Sequence, residues 1–273
     1  MDIQEIVALS VKHNVSDLHL CSSRTARWRQ AGKLLIAPFS SPDPQMLLAS
    51  WLNEAQKREW QQRHQLDFAL SLPGCPRLRA SAFTHSQGIS LVLRLLPMTC
   101  PTLAALHTPV ALAELLREES GLILVTGSTG SGKSTTLAAM VDHLNHQLAG
   151  HIMTLEDPVE FVHESDSCLI HQREVGAHTA SFSVALRAAL RQDPDVILLG
   201  ELRDSDTIRL ALTAAETGHL VLATLHTRGA AQAIERLVDV FPAQEKEPVR
   251  HQLASSLCAV LSQKLQPDNH GGR

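Results

Sequence analysis

GSTGSGKS, residues 127–134, stands between the apolar run GLILVT (121–126) and the text TTLAAMVDHL (135–144). Three glycines, a lysine and a row of hydroxyls between a buried strand and a helix fit the pattern G-x-x-x-x-G-K-[ST], with Gly127, Gly132, Lys133 and Ser134 at the defined positions. Glycine lets the backbone fold into a nest whose N–H groups point at phosphate oxygens. The following helix, with Leu137, Val141, Leu144 and Leu148 on one stripe, adds the positive end of its dipole. The loop residues Gly127, Ser128, Thr129, Gly130, Ser131, Gly132, Lys133, Ser134 and Thr135 are therefore expected to bind a nucleoside triphosphate. Lys133 reaches the β and γ phosphates, and the Ser134 hydroxyl ligates Mg2+.

Around this loop, short and almost wholly apolar strands (LILVT, HIMTLE, DVILLGE, HLVLATLH) alternate with helical segments such as FSVALRAALRQ and DTIRLALTAAETG. Apolar residues at every strand position are expected where helices cover both faces of a sheet. Residues 110–273 thus predict a three-layer α/β domain with a largely parallel sheet. Residues 1–98 have another rhythm. A helix over MDIQEIVALSVKHN carries Ile3, Ile6, Val7 and Ser10 on one face, then come the alternating SDLHL, a hairpin around Gly32, and helical text from PQMLLASW through REWQQRHQ. Two strands follow, separated by the turn at 85–88, with Ile89, Leu91, Leu93 and Leu95 on one face and Arg94 on the other. That is an α+β unit with an antiparallel sheet. The three prolines in PMTCPTLAALHTP make residues 99–109 the linker.

A chain of 273 residues accommodates two such cores. Its 44% hydrophobic and 19% charged residues describe a globular protein, without a run of about 18 apolar residues that could span a bilayer. The N-terminus has acidic residues where a signal peptide carries basic ones. A formal charge of -4 and 3% aromatic content argue against a nucleic-acid partner. Five scattered cysteines without a CxxC pair suggest neither a disulfide framework nor a cysteine zinc site, and a reducing cytoplasm suits them. His143 and His146 share a helical face but lack a nearby third ligand, so they read as helix surface.

Hydrolysis needs an oriented water and acidic groups near strand tips. DVILLGE ends in Glu201, with Gly200 before it, and Glu201 is the candidate carboxylate for Mg2+, acting through water. HIMTLE runs into DPVE, which supplies Glu156, Asp157 and Glu160 just past a strand end. Spacing does not choose among these three, and each could equally cap a helix or turn.

Together TGSTGSGKSTTLAAM (126–140), IMTLEDPVEFVHES (152–165), LRAALRQDPDVILLGELRDSDTIRLALTAAETGHLVLATLHT (186–227) and AIERLVDVFP (233–242) resemble the type IV pilus retraction ATPases, the PilT-type branch of the type II/IV secretion ATPase superfamily. The likeness runs from about residue 3 to 265, dense in the second domain and thinner in the first, where SDLHL and LRASAFTHSQG match best. It implies a homohexameric ring of subunits with a PAS-like N-terminal domain and a RecA-like ATPase domain, ATP lying between them, driving a pilus or secretion platform at the inner membrane without inserting into it. By position it gives Glu160 the activation of the attacking water, makes Lys133 and Ser134 the Walker A pair and Glu201 the Walker B acid. It also makes His219 and His226 sensors of the γ-phosphate, and directs Arg77, Arg79 and Arg94 toward the phosphates. Here RLR could equally be the solvated face of a sheet.

Two departures stand out. CSSRTARWRQAGK (21–33) replaces the proline-rich turn and the DG pair usual in the family, which alters the first hairpin. After QKLQPDNHGGR (263–273) the resemblance implies a further helical segment with a retraction-associated motif, so a truncated chain or an impaired retraction step is expected. A nucleotide kinase would need a second substrate motif and an ABC-type ATPase an LSGGQ-like signature, and neither is present. The alternatives to a Mg-ATPase motor are a subunit that binds ATP with little turnover and a nucleic-acid translocase on the same core.

Overall fold

A computed structural model of the chain describes residues 1–266, in which two compact units divide at Thr99 and Cys100. The first begins with helix α1 (Ile3–Lys12), whose start is closed by a reciprocal pair: Asp2 accepts from the Glu5 amide and Glu5 from the Asp2 amide. Its inner face buries Ile6, Val7 and Ser10, the last with its hydroxyl 2.7 Å from the Ile6 carbonyl. Strands β1 (Val15–Cys21), β2 (Arg24–Gln30) and β3 (Lys33–Ile36) follow. The β2–β3 turn at Ala31-Gly32 has positive φ at both residues, the geometry that matches strand twist in a two-residue hairpin.

The helical text after residue 43 forms two helices, α2 (Pro44–Trp51) and α3 (Glu54–Arg63). Asn53 breaks it: its side chain accepts from the Gln56 amide at 2.9 Å while Gln56 reaches back to the Asn53 amide at 3.1 Å, a capping pair that starts a new helix. Strand β4 (Gln65–Leu70), which the sequence did not announce, precedes β5 (Leu78–His85) and β6 (Gly88–Leu95). The antiparallel sheet has the order β3-β2-β1-β6-β5-β4. Leu18, Leu20, Leu78, Ala80, Leu91 and Leu93 pack from it against Ile6, Val7 and Leu48 in one core. Asp17, Arg79 and Arg94 are paired across β1, β5 and β6.

The second unit runs α4 (Val110–Leu115), β7 (Gly121–Gly127), α5 (Lys133–Gln147), β8 (His151–Glu156), β9 (Leu169–Glu174), α6 (Phe182–Ala189), β10 (Val196–Leu199), α7 (Ser205–Glu216), β11 (Leu220–Leu225), α8 (Ala230–Asp239), α9 (Lys246–Ser256) and β12 (Leu257–Gln263). Its sheet is parallel, in the order β12-β7-β11-β10-β8-β9. β7 shows why its strand text is apolar at every position. Leu122 and Leu124 enter a core with residues of α6, α7, α8 and α9, while Ile123 and Val125 enter a second core with residues of α4 and α5. Leu148 falls just beyond α5, as its extended C-cap.

Strands β9 and β12 are additions to the sequence expectation. β9 is an edge strand with polar alternation (LIHQRE), which an apolar-run criterion passes over. β10 ends at Leu199, so Gly200 and Glu201 lie past the strand rather than within it. No helix among the described residues is long and apolar enough to cross a membrane. Part of the altered C-terminal text, residues 267–273, lies outside the described residues.

Candidate functional site

The loop 128–132 leaves the carboxyl end of β7 and feeds α5, whose N-cap is Gly132 with φ of 89°. Gly127 has φ of 152°, and a Cβ there would stand 2.4 Å from Ser131 Oγ and 2.5 Å from the Gln263 carbonyl oxygen. Only glycine admits that approach of backbone to side chain. Gly130, at φ of 77°, provides the second left-handed turn. Gln263, the last residue of β12, donates its Nε2 to Thr136 Oγ1 at 2.8 Å and fastens the loop's far side to the sheet.

Lys133 is buried, with Nζ donating to the carbonyls of Gly127 (2.9 Å) and Ser128 (3.0 Å). Burial pulls its pKa down, and the carboxylates of Glu201 and Glu160 oppose that pull. Lys133, Glu201 and Glu160, separated by up to 68 positions in the sequence, are thus electrostatic neighbours. Ser134 is exposed at the first turn of α5. Thr126 Oγ1, at the end of β7, and Ser131 Oγ, in the loop, are buried without a hydrogen-bond partner among the described residues.

Glu201 follows β10 after Gly200, and Gly200 explains its own identity. Its amide bonds the Leu155 carbonyl at 2.8 Å, and a Cβ would come within 3.3 Å of that oxygen and 3.4 Å of Glu156 Cα. The side chain of Glu201 is 17% exposed; one oxygen lies 2.6 Å from Arg203 Nε and the other 3.2 Å from His226 Nε2. His226 sits one residue beyond the carboxyl end of β11, level with the phosphate loop, because Leu225 pairs with Thr126.

His219 does not join it. It precedes β11, with its carbonyl accepting from the Gly121 amide and Nδ1 3.1 Å from the Ala214 carbonyl. A strand of six residues, roughly 20 Å at about 3.3 Å per residue, separates it from His226. Within one chain the two histidines therefore stand at opposite ends of β11, and His226 is the one at the phosphate-loop end. The physical reason is direction: in a parallel strand, the residue before the first and the residue after the last stand at opposite ends.

Glu160 is half-buried on a loop that leaves β8 through a cis Asp157–Pro158 bond. Two residues missed in the sequence hold this loop, both on β9. Gln172 donates to the Phe161 carbonyl (2.8 Å) and to Glu156 Oε1 (3.2 Å) and accepts from the His163 amide (2.8 Å); Glu174, buried, accepts from the Val159 amide at 3.1 Å. The signal that could have found them is the polar alternation of LIHQRE, which places Gln172 and Glu174 on one face.

Glu156 is half-buried at its surface, but its carboxyl lies deep among protein atoms. That desolvation raises its pKa from 4.5 to about 7, against hydrogen bonds from Thr154 Oγ1 (2.5 Å) and Gln172, and with help from the charge of Glu160. Between those values the folded chain holds a proton that the unfolded chain has released. The contribution of this carboxyl to stability is therefore full below about pH 4.5 and is lost as pH rises from there through about 7, by on the order of 3 kcal/mol at most. The variant Glu156→Gln is expected to melt several degrees above wild type at pH 8 and close to it at pH 5, in paired thermal melts. A difference independent of pH would show that the carboxyl is not the buried acid.

Arg94 is committed locally, its Nε 2.8 Å from Asp17 Oδ1 although its side chain is 62% exposed. Burial raises the pKa of Asp17, but its bonds to Arg94 and Ser16 prevail and leave it below the ordinary carboxylate range. Arg79 is its half-buried cross-strand neighbour, and Arg77 Nη1 donates to Ser71 Oγ at 3.2 Å.

Residues 2–270 match the family model for type II/IV secretion system proteins. The chain is 67% identical, over 273 residues, to the uncharacterized protein YggR of Escherichia coli (strain K12), covering 100% of this chain and 84% of that one. It is 48% identical, over 276 residues, to the type IV pilus retraction ATPase PilT of Pseudomonas aeruginosa, covering 100% of this chain and 80% of that one. A crystal structure of the pilus retraction motor PilT with bound ADP has a TM-score of 0.95 to it at 42% identity, covering 100% of this chain and 81% of the other.

Proposed function

The chain belongs to the type II/IV secretion system protein family, and from that premise we propose that it is an ATP-hydrolysing motor subunit of the pilus-retraction type. The observation that carries this is the convergence of Lys133, Glu160 and Glu201 at the carboxyl ends of parallel strands, beside a loop whose glycines keep its amides accessible. In domain terms, residues 1–98 form a PAS-like domain, 99–109 a linker and 110–273 a RecA-like ATPase domain.

Catalysis follows from the positions of the groups. The amides of residues 127–135 and the Lys133 ammonium bind the β and γ phosphates of ATP. Glu160 accepts a proton from a water that attacks the γ-phosphorus; the bond from that phosphorus to the bridging oxygen breaks, and ADP leaves with the bonding pair. The Ser134 hydroxyl and the Glu201 carboxylate fit the hard oxygen donors that Mg2+ requires, Glu201 through water since both its oxygens are already engaged. Bound there, Mg2+ supplies charge neutralisation on the phosphates. His226, 3.2 Å from Glu201, links the β11 end to that carboxylate, so loss of the γ-phosphate changes the balance between two strand ends.

We further assign a homohexameric assembly, a cytoplasmic place at the inner membrane reached through a pilus or secretion platform protein, and no nucleic-acid substrate. Steady-state phosphate release from Mg-ATP, measured against protein concentration alongside mass photometry, tests this. Turnover that vanishes on chelation of Mg2+ and rises per subunit with assembly is expected. Full specific activity in purely monomeric protein would remove the ring, and stimulation by DNA or RNA would favour a translocase.

A further inference from the structure

Outside the nucleotide site, three strand ends of the first unit bring a cysteine, a histidine and two serines to one place. Cys21 closes β1, His85 closes β5 and Ser90 lies on β6 opposite Cys21. His85 Nδ1 accepts from the Gln87 amide at 3.1 Å, so in the neutral ring the proton is on Nε2. That Nε2 is 3.6 Å from Cys21 Sγ and 3.0 Å from Ser90 Oγ. Ser23 Oγ stands 3.6 Å from the same sulfur. Burial would raise the thiol's pKa, but the Ser90 hydroxyl, the Ser23 amide and hydroxyl and the His85 ring together bring it from 9.0 down to about 6. The other cysteines go the opposite way: burial pushes Cys100 up to about 12 and raises Cys75, Cys168 and Cys258.

The half-exposed Cys21 also lines a cleft of about 580 Å3, between the β1–β2 turn and the start of α2. Arg24 and Asp43 contribute opposite charges to its wall, with Arg24 Nε held by Gln87 Oε1 at 3.1 Å. A volume of this size accommodates a small peptide, and the paired charges suit one with both carboxylate and ammonium groups. Convergent donors on a sulfur, a histidine fixed in its donating tautomer and an adjoining charged cleft are the setting of a reactive thiolate with a recognition site beside it.

We propose that Cys21 is a site of reversible S-thiolation by a low-molecular-weight peptide disulfide of the glutathione class, seated in the cleft between the β1–β2 turn and α2. The thiolate attacks one sulfur of the disulfide. The Cys21–peptide disulfide bond forms as the original S–S bond breaks, and one peptide thiolate leaves and takes a proton from solvent. Cys21 is oxidised, and the departing sulfur is reduced. Excess peptide thiol reverses the step by attacking the mixed disulfide.

Treating the full chain with oxidised glutathione at pH 6.5, quenching in acid and mapping peptides by mass tests this directly. The adduct is expected on Cys21, forming about tenfold or more faster than on any other cysteine, and absent in Cys21→Ser. Equal labelling of the other cysteines, or an adduct that persists in Cys21→Ser, would overturn the proposal. The pH dependence of iodoacetamide alkylation gives a second readout: a midpoint near 6 that moves upward in His85→Gln supports the cluster, and a wild-type midpoint above 8 refutes it. Arg24→Glu should slow the reaction with oxidised glutathione several-fold but leave that with hydroxyethyl disulfide unchanged. Equal rates with both reagents would remove the cleft from the proposal's support and overturn its choice of ligand.

Discussion

Replacing Lys133 with alanine should leave a folded protein that no longer responds to nucleotide. The ammonium holds two loop carbonyls and faces two carboxylates, so its removal takes away a buried cation at the loop and the charge that Lys133 sets against Glu160 and Glu201, of which Glu201 alone keeps its pairing with Arg203. Loss of one preorganised charge at a transferring phosphoryl group costs about 10²–10³ in turnover, and the missing ground-state contact weakens binding as well. The readout is thermal stability with and without a magnesium-ATP analogue. A ligand at 100 times its Kd stabilises the wild type by about 2.7 kcal/mol, and the variant should show almost none of this. A Lys133→Ala protein that still gained stability with the analogue would sink the phosphate-cradle assignment.

Glu160→Gln should separate binding from chemistry. The amide keeps the size of the side chain and its place on the loop braced by Gln172 and Glu174, but it cannot accept the proton of the attacking water. Turnover is expected to fall by about 10²–10⁴ while the nucleotide-dependent rise in melting temperature survives. Glu156→Gln is the necessary comparison, because the two carboxyls interact and Glu156 retains its proton up to about pH 7. If Glu156→Gln lost turnover and Glu160→Gln kept it, the base would be Glu156. If wild type released phosphate no faster than Glu160→Gln, the chain would be a nucleotide-binding subunit rather than a motor.

Much of the fold was legible in local sequence. The apolar β7, β8, β10 and β11 and the amphipathic α6 and α7 advertise their periods, and both appear where those periods put them. β9 and β4 were missed because edge strands with polar alternation carry little apolar signal. The helical text after residue 43 divides into two helices because Asn53 and Gln56 cap each other, a pattern the reading of the sequence did not use. At the site, the placement of the glycine-rich loop between a strand and a helix was readable in the sequence. The resemblance, not the spacing, selected Glu160, and neither anticipated that Gln172 and Glu174 hold its loop.

The sequence alone determined the glycine-rich loop 127–134 and the strand and helix on either side of it, because eight contiguous residues supply the backbone freedom and the ammonium that the proposed phosphate binding needs. Tertiary structure alone decided which carboxylates face Lys133, that a side chain at Gly200 would crowd the backbone of β8, that His226 and not His219 reaches Glu201, and that Cys21 meets His85 and Ser90. Those contacts depend on strand order and register, which join residues tens of positions apart. A local period states which face a residue takes but not which strand will lie beside it.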